Sequence, residues 1–231
     1  MKQKTKQVKT NGFDTVVEGT SNKNAVAAAK RVAAGPVDDI LNPLVLVGPS
    51  GCGKTRILNA IAAEAASLQD GRMIRSIMGE QFLQDYIDAI ACDNLKCFRN
   101  KLKMADVLII DNAELLEKGR YIAEEFLWIF DELIENGHQI VLALSTPFRV
   151  LKKRNRKLHG RIVSSATIKV GYPDDAMKRR YIKFYLAVNK ATLPDSKIND
   201  ILNSSAKSFW EIKGAVCTAL CEKKFNKKGR V

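Results

Sequence analysis

The chain has 231 residues, a formal net charge of +13 and 46% hydrophobic residues. This length holds one large domain, or a domain with a small appendage, and such a chain buries roughly 70% of its unfolded surface. No apolar run approaches the roughly 20 residues of a membrane span, and the basic N-terminus MKQKTKQVKTNGF has no apolar core behind it, which argues against a membrane protein and a secretory signal. Five cysteines at no metal-like spacing, with only two histidines, read as free thiols of a reducing cytoplasm, not a zinc site. The positive charge concerns partners and favours nucleotide or nucleic acid. It gathers in the first ten residues, in 148–161, in 177–183 and in the C-terminal EKKFNKKGRV.

Residues 1–12 read as a basic flexible arm. SNKNAVAAAKRVAAG has strong helix formers between a capping residue and Gly35, and predicts a helix. After a loop from Pro36 to Asn42, PLVLVG predicts a short buried strand. A glycine-rich turn follows, then the amphipathic helix TRILNAIAAEAASLQ, ending near Gly71. RMIRSIMG is a second strand. EQFLQDYIDAIA and LKCFRNKLK are helices by spacing, with Phe82, Tyr86, Ile87 and Ile90 expected on one face. VLIID is the third strand, YIAEEFLWIFDELIENG a long helix stopped by Gly137, QIVLALS the fourth strand and ATIKVG the fifth. Beyond Tyr172-Pro173 helical segments dominate. The expected organisation is an α/β body over 13–173, a helical lid over 174–222 and a basic tail over 223–231. Strands alternating with helices imply a parallel sheet covered on both faces, with ligands at the carboxyl ends of the strands.

GPSGCGKT, residues 48–55, fits the phosphate-binding loop in full, with a strand before it and a helix after it. Gly48, Gly51 and Gly53 let the backbone wrap a phosphate through its amides, with Pro49, Ser50 and Cys52 completing the loop. Lys54 reaches the terminal phosphates of ATP or ADP, and Thr55 offers a hydroxyl to Mg2+. Asp111, at the tip of VLIID, is the expected metal acid. Such strands commonly end in two acids, but here Asn112 follows, with Glu114 two residues on. Ser145-Thr146 closes the fourth strand, where a polar group either meets the γ-phosphate or simply ends the strand before Pro147. The run 148–161 reads equally as a solvated face, an arginine for a neighbour's nucleotide, or a nucleic-acid contact.

Four segments carry a resemblance: FDTVVEGTSNKNAVAAAKRVA, NPLVLVGPSGCGKTRILNAI, ADVLIIDNAELL and QIVLALSTP. Together they resemble the AAA+ domain of the DnaA/Hda family over residues 13–222. No LSGGQ-like signature accompanies the loop, which sets the chain apart from transporter ATPases. The resemblance implies a phosphate-loop AAA+ parallel sheet flanked by helices, with a small C-terminal helical lid. It puts Val16 and Val17 by the adenine, and makes Arg161 an arginine finger that acts in trans on a neighbour's γ-phosphate. Fingers of this kind are worth about 10³–10⁵ in rate. It also implies that the segment 80–103 is a single-stranded-DNA-contacting insertion, with Arg99, Lys101 and Lys103 as contacts.

Departures from the family pattern are equally specific. Asn112 replaces the second acid, Ser145 stands at a sensor aspartate, and Trp210 stands at the sensing arginine of the lid, with Lys213 one turn on as a substitute. An amide orients water but takes no proton, and loss of a general base commonly costs about 10²–10⁴ in rate. Three functions stay open. One is an Hda-like regulator of the initiator, with slow or absent hydrolysis of its own. The second is a helicase-loader-type ATPase that binds single-stranded DNA. The third is a nucleotide-bound adaptor that does not hydrolyse. The partners implied are DnaA or a replicative helicase, non-specific single-stranded DNA and a nucleotide-dependent homo-oligomer. A sliding clamp is a further partner, although KQVKTNGF lacks the hydrophobic spacing of a clamp-binding peptide.

Overall fold

A computed structural model describes residues 12–68, 71–117, 119–145 and 156–228, with side chains described as far as Lys223. The chain forms two compact units. The first contains the described residues up to Val16, 24–48 and 54–169, and the second contains 17–23, 49–53 and the chain from Val170 onward. The sequence suggests one boundary after Pro173. The compact division instead falls at Lys169–Val170 and also takes two short N-terminal segments into the second unit.

The first unit is built on five parallel strands: β1 Leu44–Val47, β2 Ile74–Met78, β3 Val107–Asp111, β4 Gln139–Leu144 and β5 Ala166–Lys169. Their order is β2-β3-β4-β1-β5. β3 and β4 are buried along their whole lengths, as expected of apolar runs in a parallel sheet with both faces covered. Parallel pairing needs long crossovers, and helices supply them. α1 Lys23–Ala34 precedes β1, and the helices between strands are α2 Lys54–Ser67, α3 Gly79–Ala91, α4 Leu95–Lys103, α5 Arg120–Glu135 and α6 Arg156–Val163.

The Asn42-Pro43-Leu44 entry to β1 has a physical purpose. Asn42 Nδ2 donates to the carbonyl of His138 at 2.9 Å, and its Oδ1 accepts from the Ile140 backbone N–H at 2.9 Å. One side-chain amide thereby continues the ladder between β1 and β4 where proline has no N–H to give.

The main core packs Phe82, Phe98, Phe126 and Phe130 with Leu108 and Ile110 of β3 and Ile140, Leu142 and Leu144 of β4. Phe82 meets the rings of Phe98 and Phe126 edge-on. The predicted face of α3 needs correction. Phe82, Tyr86 and Ala89 are buried, but Ile87 and Ile90 are 48% and 51% exposed. Successive helical residues are about 100° apart, so the stripe through 82, 86 and 89 leaves 90 on its flank and turns 87 well away from it.

The second unit has its own small core of Ile182, Leu186, Ile198, Ile201, Ile212 and Val216. Three helices supply it: α7 Asp175–Val188, α8 Asp195–Asn203 and α9 Phe209–Lys228. α9 continues through residues that the sequence reads as a tail. Asp174 caps α7 by accepting from the Met177 N–H at 2.8 Å, and its other oxygen accepts from the Thr20 hydroxyl at 2.7 Å. The Ser21 carbonyl accepts from the Gly171 N–H at 2.9 Å, which joins the segment 17–23 to this unit. Among the described residues, no helix is long and apolar enough to cross a membrane.

Candidate nucleotide-binding site

The carboxyl ends of β1, β3 and β4 lie side by side in the first unit. Gly48 extends the ladder, its N–H donating to the Leu144 carbonyl at 3.1 Å. Asp111 ends β3 at only 5% exposure. A buried carboxylate needs partners. The Thr55 hydroxyl donates to Asp111 Oδ2, and the Asn112 backbone N–H donates to Oδ1 at 2.9 Å. Lys54 is buried, and its ammonium donates to the Gly48 carbonyl at 2.8 Å. Lys54 and Thr55, adjacent in the phosphate loop, thus share one end of the sheet with Asp111, which is distant in sequence. Magnesium takes hard oxygen ligands and retains several waters. A threonine hydroxyl bonded to a carboxylate suits such an ion, so Thr55 and Asp111 are the residues that would hold it.

Asn112 leaves the strand in the left-handed region, at φ 52°. Asparagine is several-fold enriched there. Its Nδ2 lies 3.1 Å from Glu80 Oε1 and 3.5 Å from Oε2. Glu80 is a neighbour that sequence reasoning missed. The only local signal was an acid directly after Gly79, and nothing in the chain order sets it against Asn112. Glu114 is also drawn in: its Oε2 accepts from the Ser145 N–H at 3.2 Å. Two candidates read separately from the sequence, Glu114 and Ser145, are therefore in contact. Thr146 and residues 148–155 lie outside the described residues.

Arg161 sits on α6, and its Nη2 donates to Asp131 Oδ2 at 2.8 Å. Both side chains are substantially exposed. Arg99 and Lys103 face inward along α4 and fasten it to α5. Arg99 pairs with Glu125 and lies 4.7 Å from the Trp128 ring centre, while Lys103 pairs with Glu132 and lies 5.0 Å from the same ring. The hydrogen bond to Glu125 raises the Arg99 pKa above its ordinary value. Lys101 is exposed, beside Asp85 and Asp88 on the surface.

The second unit contains the crown of the phosphate loop, Pro49 to Gly53. Gly51 and Gly53 have φ of 75° and 105°, which side chains rarely adopt. A Cβ on Gly51 would also lie 2.8 Å from Ser208 Cβ. The Phe209 N–H, at the start of α9, donates to the Gly51 carbonyl at 2.9 Å. Trp210 is 67% exposed beside Gly51, and Lys213 is exposed one turn further along α9. Val17 accepts from Asn22 Nδ2 at 2.9 Å through its carbonyl, and Val16 is the last residue of the first unit's N-terminal segment.

The pattern of the family described as the bacterial DnaA ATPase domain matches residues 8–169. The chain belongs to this family. A DnaA chromosomal replication initiator from Picosynechococcus is 33% identical over 208 residues, which cover 90% of this chain and 46% of that protein. The chain thus spans about half the length of the curated DnaA relatives it matches. Domain III of DnaA from Thermotoga maritima superimposes with a TM-score of 0.87 at 27% identity, covering 94% of this chain and 90% of that one. DnaA bound to AMPPCP and single-stranded DNA gives a TM-score of 0.83 at 23% identity, covering 96% and 69%. The fold is that of the DnaA AAA+ domain.

Proposed function

We propose that this chain is a DnaA-family nucleotide-binding protein of replication control that holds ATP or ADP with Mg2+ and hydrolyses it slowly or not at all. Arg161 acts in trans on the nucleotide of DnaA, as in an Hda-like regulator. The observation that carries this reading is the pairing of an intact Thr55–Asp111 contact with an amide at Asn112. The binding half of the machinery is retained, and the acid expected to handle the attacking water is replaced. The bond between Arg161 and Asp131 joins two half-exposed groups, and such pairs are worth at most about 1 kcal/mol, so Arg161 can leave it to reach a partner at little cost.

When bound, Mg2+ would neutralise phosphate charge. Lys54 would hold the terminal phosphates, and Asp111, fixed at both oxygens, would orient the metal's water shell. Asn112 would orient water without accepting its proton. Trp210 in place of a sensing arginine removes a charge that would otherwise stabilise the reacting phosphate. The reading places the protein in the cytoplasm with the initiator.

Two measurements test this. A fluorescent ATP analogue is titrated into the native chain and into Lys54→Ala, and binding should be lost in the variant. Hydrolysis of DnaA-bound ATP is then followed with the native chain and with Arg161→Ala. Stimulation by the native chain alone supports the regulator. Absence of stimulation, together with intrinsic turnover that rises with single-stranded DNA, overturns it in favour of a loader-type ATPase.

A further inference from the structure

We propose that Glu80 is the positioning residue for Asn112, forming an acid–amide pair in which the acid sits on α3 and the amide at the exit of β3. The inference rests on the nucleotide-binding reading above and deepens it by naming the second member of the water-orienting pair.

Three observations carry it. First, Asn112 Nδ2 lies 3.1 and 3.5 Å from the two oxygens of Glu80. A carboxylate only accepts, so the amide's nitrogen end must face it and its carbonyl oxygen must face away. Second, the approach is built into the backbone. A Cβ on Gly79 would lie 2.4 Å from the Asn112 carbonyl oxygen, so glycine is what lets the start of α3 lie against the exit of β3. β2 and β3 are in register up to Met78 opposite Asp111, which delivers Gly79 and Glu80 beside Asn112. Third, the other nearby acid is committed elsewhere, since Glu114 accepts from the Ser145 N–H.

The consequence is chemical. The reaction forms a bond from water oxygen to the γ-phosphorus and breaks the bond from that phosphorus to the β,γ-bridging oxygen, whose electron pair leaves with ADP. The water's proton ends on the phosphate product. With Glu80 holding its nitrogen end, Asn112 can offer water only a carbonyl oxygen, which aligns the nucleophile and leaves the proton where it is. The neighbouring acid is spent on orientation. Restoring an acid at position 112 therefore does not by itself restore a positioned base, because a carboxylate has no N–H to donate to Glu80 and the hydrogen bond that holds the side chain is lost.

The test is a cycle of Asn112→Asp, Glu80→Gln and the double variant in the full chain, read as kcat, KM and Tm. In the double variant the pair is reversed: an amide on α3 donates to a carboxylate at the exit of β3 and holds it in place. We expect its kcat to exceed that of Asn112→Asp by at least about tenfold, with KM and Tm of the two within error. Glu114→Gln combined with Asn112→Asp should show no such coupling. Equal kcat in the double and single variants overturns the proposal, as does coupling seen in Tm alone. If the native chain binds the ATP analogue no better than Lys54→Ala, the nucleotide-binding reading itself fails and takes this inference with it. Retained binding with no coupling removes only the role of Glu80.

Discussion

Arg99 donates through Nε and Nη2 to the two carboxylate oxygens of Glu125, at 2.6 and 2.8 Å. Glu125 is buried on α5 and Arg99 is partly exposed on α4, so the guanidinium is the buried acid's counterion. Arg99→Ala should destabilise the protein by about 1–3 kcal/mol, because a buried carboxylate is left unpaired. Lys101→Ala, at an exposed site, should stay within about 0.5 kcal/mol. Urea unfolding followed by circular dichroism separates the two. If α4 contacts single-stranded DNA, Lys101→Ala should also reduce the salt slope of binding by about 0.7 at unchanged stability. An Arg99 variant would confound folding with binding.

Gly79 is the second test of packing. A methyl group there would meet the Asn112 carbonyl, which is backbone and cannot rotate aside. Gly79→Ala is expected to cost about 1–3 kcal/mol by overpacking. It should also separate Glu80 from Asn112 and so abolish the coupling of the double-variant cycle. Thermal unfolding combined with that cycle reports both effects.

The Asn42 amide is a third. Both ends are used, one donating to His138 and one accepting from Ile140. Asn42→Ala should cost about 1–3 kcal/mol by leaving strand-end groups unpaired. Asn42→Asp should not rescue it, since a carboxylate oxygen would then face the His138 carbonyl. Denaturant midpoints of the two variants, at constant m-value, would check this.

Acid should weaken the second unit through Asp174. The Met177 backbone N–H, and after it the Thr20 hydroxyl, hold the Asp174 carboxyl below its ordinary range. A group whose folded pKa is depressed stabilises fully above its unfolded value, near about 3.9 for aspartate, and loses that contribution as pH falls through the folded value. Tm measured from neutral pH downward should therefore fall less steeply in this acid window for Asp174→Asn than for the native chain. At neutral pH, Asp174→Ala should cost about 0.5–2 kcal/mol as a lost helix cap.

Some of this was legible in the order of residues alone. The alternation of apolar runs with amphipathic stretches is a local property, and each strand and helix follows from spacing over a few residues. The phosphate loop is likewise contiguous, so Gly48 to Thr55 could be read together, and Asp111 announces itself as an acid after four buried apolar residues. Arg99 and Lys103 show the limit of such reading. As isolated cations on an amphipathic helix they look like solvated contacts, and only the packing of α4 on α5 brings Glu125 and Glu132 to them. Ile87 and Ile90 were misplaced for the same reason, since the pattern finds an apolar stripe but not its edge. The composition of the site lies one step further from the sequence. Glu80 meets Asn112, and Glu114 meets Ser145, because β2 lies beside β3 and β3 beside β4. Strand order is a long-range choice made by the sheet as a whole. Residue order was enough to say which side chains could serve a nucleotide, and the pairing of strands chose which acid stands next to which amide.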